Sequence, residues 1–151
     1  MAALPFNSSA FRRLFKHAPE PIAGKSVIIT GGSTGIGRAI AMLLVAKGAR
    51  VLICGRHRQA IDEALRDIRE VGGGEIEAIV ADIALPRQAE RLFKAADRQF
   101  GRLDVLINNA GLAGESVADT DYDAFRYVVE TNLIGAMHCA QIGRASCRER
   151  V

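Results

Sequence analysis

Thr30-Gly31-Gly32-Ser33-Thr34-Gly35-Ile36-Gly37 decides the fold of this chain. It follows an apolar run, Ser26-Val27-Ile28-Ile29, and precedes a helical pattern, Arg38-Ala39-Ile40-Ala41-Met42-Leu43-Leu44. A strand, a glycine-rich turn and a helix in that order form a receptacle for a diphosphate. Glycine lets the backbone turn sharply and lets an anion approach without meeting a Cβ. The first helical turn leaves its N–H groups unpaired, and the dipole there favours negative charge.

Outward from this loop the pattern repeats. Residues 27–30 read as a buried strand and 35–47 as a helix ended by Gly48. Residues 51–54 form a second apolar strand, and 58–71 an amphipathic helix stopped by Gly72-Gly73-Gly74. A third strand, 76–80, ends at Asp82. Residues 86–100 form a helix with proline at its start and Gly101 after its end. A fourth strand, 105–107, opens into Asn108-Asn109-Ala110-Gly111, and a long helix runs from 122 to about 141, capped by Asp119, Thr120 or Asp121. Strict β-α alternation at short spacing predicts an α/β fold, a doubly wound parallel sheet with helices on both faces. Ligands then bind beyond the carboxyl ends of the strands, where the strand order reverses. The glycine loop, Asp82 and residues 108–111 all follow strand ends.

Composition narrows the class. The chain has 151 residues, enough for one domain with a core, and 49% of them are apolar. The net charge of +3 is small and its basic residues are dispersed, which argues against a nucleic-acid partner. No apolar run approaches the roughly 20 residues needed to cross a bilayer. Cys54, Cys139 and Cys147 show neither metal spacing nor a disulfide framework, so no metal is expected and a reducing cytoplasm is the simplest compartment. Residues 1–19 lack Asp and Glu and carry Arg12, Arg13 and Lys16, the composition of a transit peptide. The alternative is an N-terminal extension, 1–21, lying on the domain or partly disordered; it is preferred because nothing else points to an organelle.

The spacing Thr30-Gly31-x-x-x-Gly35-x-Gly37, an Asp after the third strand and Asn-Asn-Ala-Gly after the fourth together resemble the short-chain dehydrogenase/reductase family. The resemblance covers about residues 22–141. It implies an oxidoreductase moving a hydride between a nicotinamide cofactor and a small carbonyl or alcohol substrate, in a homo-oligomeric parent. It places Gly31, Gly35 and Gly37 around the pyrophosphate, with Ser33, Thr34 and Ile36 lining the loop. Asp82 would accept from the adenine amino group, with Ile83 beside it; Asp82 can also cap the turn that follows. Asn108, Ala110 and Gly111 would line the path to the nicotinamide, and the Asn pair can also satisfy backbone groups at the strand's end. Asn132 matches the asparagine of the family's Asn-Ser-Tyr-Lys catalytic set. His138, on the same helix, matches no catalytic position and reads as a packed or surface residue.

Cofactor choice rests on the end of the second strand. A carboxylate there would accept hydrogen bonds from the adenosine ribose and favour NAD. The chain has Gly55-Arg56-His57-Arg58 instead, and a guanidinium suits a 2′-phosphate, so NADP is favoured over NAD. Position 34, basic in many NADP-using relatives, is Thr here, which weakens that preference.

The family's serine and Tyr-x-x-x-Lys pair are missing. The tyrosines are Tyr122 and Tyr127, both before Asn132, and the last lysine is Lys94. A basic string, 142–151, stands where a fifth strand is expected. Its residues can be reverse-translated as ATC GGA AGA GCG TCG TGT AGG GAA AGA GTG, a common sequencing-library adapter that continues into a stop codon. The expectation is a partial domain over 22–141 followed by a non-native tail, binding cofactor but inactive alone. A non-catalytic nucleotide-binding or regulatory module is the alternative. With the fourth strand as an open edge, marginal stability is expected.

Overall fold

The apolar runs form one parallel sheet: β1 (Ser26–Thr30), β2 (Arg50–Gly55), β3 (Glu75–Val80) and β4 (Val105–Ile107), in the spatial order β3-β2-β1-β4. The structure is a computed structural model describing residues 22–113 and 121–148. The N-terminal extension, the cap candidates Asp119 and Thr120, and residues 149–151 lie outside the described residues. Between the strands run α1 (Gly35–Ala46), α2 (Arg58–Val71) and α3 (Pro86–Phe100).

Both faces of the sheet are covered, as uninterrupted apolar strands require. Successive side chains of a strand point to opposite faces. Accordingly Val27 and Ile29 of β1 pack with Val51 and Ile53 against Ala41 and Val45 of α1 and Ala64 and Ile68 of α2. Ile28, Leu52 and Cys54 pack on the other side against α3. The buried residues of α3, Ala89, Leu92, Phe93, Ala96 and Phe100, recur at helical spacing. Gly101 ends the helix in a left-handed conformation, φ 70°. Complete burial of Leu92 contributes about 1.5–3 kcal/mol relative to exposure.

β1 pairs with β2 on one side and β4 on the other, so the strand order reverses there. The loops after β1 and β4 consequently face each other across the sheet's carboxyl edge. The base of the sheet is fastened by Ser26: its Oγ donates to Arg102 O at 2.6 Å, and its N–H donates to Asp104 Oδ2 at 2.9 Å.

The last helical stretch differs from the single helix expected over 122–141. It comprises α4 (Tyr122–Val129), one wide π-helical turn (Glu130–Gly135) and α5 (Ala136–Arg148). Asp121 caps it, accepting from Ala124 N at 2.7 Å. The winding continues past Gln141 because Ile142 packs on the core and Gly143 is buried beside Phe93 and Leu106. The exposed residues of this stretch include Leu133, Ile134 and Met137, each about half exposed or more.

Candidate functional site

The glycine loop is held by the neighbouring strand's end. Thr30, at the end of β1, is fully buried, and its hydroxyl accepts from the backbone N–H groups of Asn109 and Ala110, each at 3.0 Å. Asn109 donates a second time through its side chain: its Nδ2 reaches the carbonyls of Thr30 and Gly31, both at 3.1 Å. Gly31 turns at φ +65°, and a Cβ there would lie 2.8 Å from Ala110 Cα. A Cβ on Gly37 would come within 2.4 Å of both Asn109 Nδ2 and Gly31 O. The loop thus meets the β4 loop backbone to backbone at Gly31, and the first turn of α1 meets the Asn109 side chain at Gly37.

The start of α1 suits an anion. Thr34 adopts extended backbone at the N-cap without a side-chain cap bond, and the first turn carries no acidic residue. Unpaired N–H groups and the positive end of the helix dipole face the cleft. The cleft has a volume of about 460 Å³, within the range of small-molecule sites.

Most of the expected residues converge there. Gly31, Ser33, Thr34, Gly35 and Ile36 supply one wall. Arg56 enters from the end of β2, and Asp82 and Ile83 from the end of β3. Ala110 and Gly111 enter from the end of β4. Gly37, Asn108 and Asn132 are not on the wall. Gly37 lies beneath the loop against Asn109. The Asn108 side chain turns away and donates to Ala136 O at 3.0 Å, tying β4 to α5. Asn132 uses both ends of its amide on one residue: Oδ1 accepts from Leu112 N at 2.8 Å, and Nδ2 donates to Leu112 O at 2.9 Å. It therefore fixes the loop after β4 to the π turn.

Asp82 has two partners. Its Oδ1 accepts from Ala84 N at 2.9 Å, so the turn-capping role exists. Its Oδ2 accepts from the Tyr127 hydroxyl at 2.5 Å, and that hydroxyl accepts from Arg56 Nη1 at 2.8 Å. The Arg56 guanidinium also lies 5.6 Å from the centre of the Tyr127 ring. Burial raises the Tyr127 phenol above its ordinary pKa; the Asp82 acceptor adds to the rise, and Arg56 opposes it.

Two residues of the site were not among those expected from the sequence: Tyr127 and Thr131. Thr131 is 4% exposed, lies on the cleft wall, and its hydroxyl has no partner among the described residues. The available signal was helical spacing, since Tyr127 and Thr131 are four apart and share a face with one another. Cys54 lies behind the loop, and burial pushes its thiol up to about 12; burial likewise raises Cys139 to about 11. Among the described residues no His, Cys, Asp or Glu cluster could hold a metal, and no helix is long and apolar enough to cross a membrane.

The short chain dehydrogenase family model matches residues 25–146. A short chain dehydrogenase/reductase of Macrophomina phaseolina is 37% identical over 116 residues, covering 76% of this chain and 66% of that protein. An indene-carboxyl-CoA reductase of Mycobacterium tuberculosis is also 37% identical, over 77% of this chain and 47% of its own length. The chain thus spans only part of the curated relatives it matches. Among solved structures, levodione reductase superposes with a TM-score of 0.80 at 30% identity, covering 85% of this chain and 51% of that one. An NAD+-bound xylitol dehydrogenase gives 0.78 at 30% identity, over 83% and 49%. With its parallel sheet, its glycine loop and these matches, the chain belongs to the short chain dehydrogenase family.

Proposed function

We propose that this chain is the cofactor-binding half of an oxidoreductase that interconverts a carbonyl and an alcohol using NADP(H). The observation that carries this reading is the convergence of the glycine loop, Arg56 and Asp82 on one cleft, with no carboxylate at the end of β2. The residues fit the dinucleotide. The loop packs so closely that side chains at Gly31 or Gly37 would collide with backbone, and the buried Thr131 hydroxyl is left on the wall for a ligand.

In this reading the backbone of Gly31, Gly35 and Gly37, with Ser33, Thr34 and Ile36, holds the pyrophosphate at the start of α1. Arg56 takes the 2′-phosphate through charge-assisted hydrogen bonds. Asp82 accepts from the adenine amino group and Ile83 packs beside it. Ala110 and Gly111 line the path to the nicotinamide. Asn108 and Asn132 act from behind, through Ala136 and Leu112. Bound there, the nicotinamide supplies or accepts the hydride.

The chain has neither a Tyr-x-x-x-Lys pair nor any lysine after Lys94, so it binds cofactor without turnover. A regulatory nucleotide-binding module is the second reading, favoured by that same absence. The parent protein is cytoplasmic and homo-oligomeric in this proposal, its partner or missing half covering Leu133, Ile134 and Met137. Fluorescence titration with NADPH and NADH tests the cofactor choice. Tighter NADPH binding supports it; equal or tighter NADH binding overturns the role given to Arg56.

A further inference from the structure

Arg56 is exposed at the rim of the cleft, and an exposed arginine normally loses considerable rotamer freedom when it grips a ligand. Here the side chain is already tethered. Tyr127, from the middle of α4, accepts from Arg56 Nη1 at 2.8 Å and presents its ring face 5.6 Å from the guanidinium. The same hydroxyl donates to Asp82 Oδ2, so the phenol is itself anchored to the end of β3. Only one guanidinium N–H is used by the phenol, which leaves the others for a ligand. With Thr at position 34, the glycine loop offers no second cation to share the work.

We infer that Tyr127 is a positioning residue for cofactor selectivity: it holds the Arg56 guanidinium over the adenosine end of the cleft, ready for a 2′-phosphate. This rests on the NADP(H) reading above. Preorganisation of a single cation replaces the second one, because less side-chain entropy remains to be lost on binding.

The test is a double-mutant cycle on the full chain, read by NADPH and NADH titration. Tyr127→Phe keeps the ring and removes the hydroxyl. NADPH affinity is expected to fall about three- to tenfold, the range of one net hydrogen bond, with NADH affinity changed less than about twofold. In an Arg56→Ala background the same substitution is expected to be silent towards NADPH. Thermal melts of each variant check that the fold is retained. Equal loss for both cofactors overturns the inference, because Tyr127 would then act on the adenine site. Tighter binding of either cofactor overturns it too, because the hydroxyl would then be an obstruction. No dinucleotide binding by the unmodified chain overturns the underlying reading together with the inference, whereas NADPH preference untouched by Tyr127→Phe overturns the inference alone.

Discussion

Asn109 and Thr30, seventy-nine positions apart, are joined by two hydrogen bonds that both run from Asn109: its backbone N–H donates to the Thr30 hydroxyl, and its side-chain amide donates to the Thr30 carbonyl. Together they join the ends of β1 and β4 at the point where the glycine loop departs. Asn109→Ala is therefore expected to do more damage than Asn108→Ala, although the two residues are adjacent and alike. Asn109→Ala removes two bonds to the loop's carbonyls and should cost about 2–3 kcal/mol, whereas Asn108→Ala removes one exposed bond and should cost about 1. Urea unfolding of both variants measures the difference, and NADPH titration shows whether the loop has loosened.

Gly37→Ala adds one methyl group where Asn109 Nδ2 and Gly31 O already stand within 2.4 Å. Neither neighbour can retreat without breaking the clamp. The substitution should destabilise by about 1–3 kcal/mol and abolish dinucleotide binding. Gly35→Ala meets no atom within 4 Å, and its cost arises from backbone at φ +51° instead. Parallel melts and titrations separate collision from backbone strain: a fold that tolerates Gly37→Ala with normal binding contradicts the packing described.

Asp104 sets an acid limit. Burial pushes its carboxyl up, but hydrogen bonds from Ser26 and Arg102 outweigh burial and hold it below the ordinary value of 3.8. A carboxyl with a lowered folded-state pKa contributes stability that is present above the unfolded value and lost as pH falls through the folded one. Stability should therefore decline below about pH 4 through this group. Asp104→Asn should flatten that part of the pH profile while lowering stability near neutrality. Unfolding curves between acid and neutral pH decide it.

Cys54 and Cys139 should resist alkylation. Their thiols are raised to about 12 and about 11, so almost no thiolate exists at neutral pH, and both are buried. Peptide mapping after iodoacetamide treatment should find both unmodified until denaturant is added.

Two expectations concern the chain's last residues and its edge. Genomic sequencing across codon 141 should show a coding sequence different from 142–151; finding the same string and stop codon in genomic DNA would refute the adapter origin. The tail supplies two of the three net positive charges, so the remainder is nearly neutral. Among the described residues β4 pairs only with β1, and Leu133 and Met137 are exposed. A low, poorly reversible melt is expected, and a sharp reversible one at high temperature counts against it.

Much of this architecture is written locally. Val27-Ile28-Ile29 and Val51-Leu52-Ile53-Cys54 are too uniformly apolar for anything but a sheet buried on both faces. Pro86 and Gly101 mark the two ends of α3. Arg56, Asp82 and Ala110 converge because each follows a strand in a parallel sheet, which alternation alone implies. The clamp is a different matter. That Asn109 rather than Asn108 turns towards the loop depends on the rotation of β4 against β1, which no local pattern encodes. Tyr127 reaches Arg56 and Asp82 across 71 and 45 positions, and its role depends on how α4 lies over the ends of β2 and β3. The π turn was equally hidden: Thr131-Asn132-Leu133 reads as ordinary helix until Asn132 is seen bound to Leu112.

That wide turn has a consequence of phase. Each α-helical residue advances the winding by about 100°. The Glu130–Gly135 turn lies between α4, which carries Tyr127, and α5, which buries Cys139 in the core. A π turn winds wider and advances less per residue, so its six residues cover nearly the arc of one residue fewer in an α-helix, and removing one residue there would restore even winding with later side chains close to their present directions. Cys139 would still face the core and Tyr127 would stay in place, whereas the Asn132 contact with Leu112, made from inside the wide turn, would be lost. The wide turn therefore carries one residue more than even winding needs, and what that residue provides is the local bulge that sets Asn132 against Leu112, not the facing of the helices on either side.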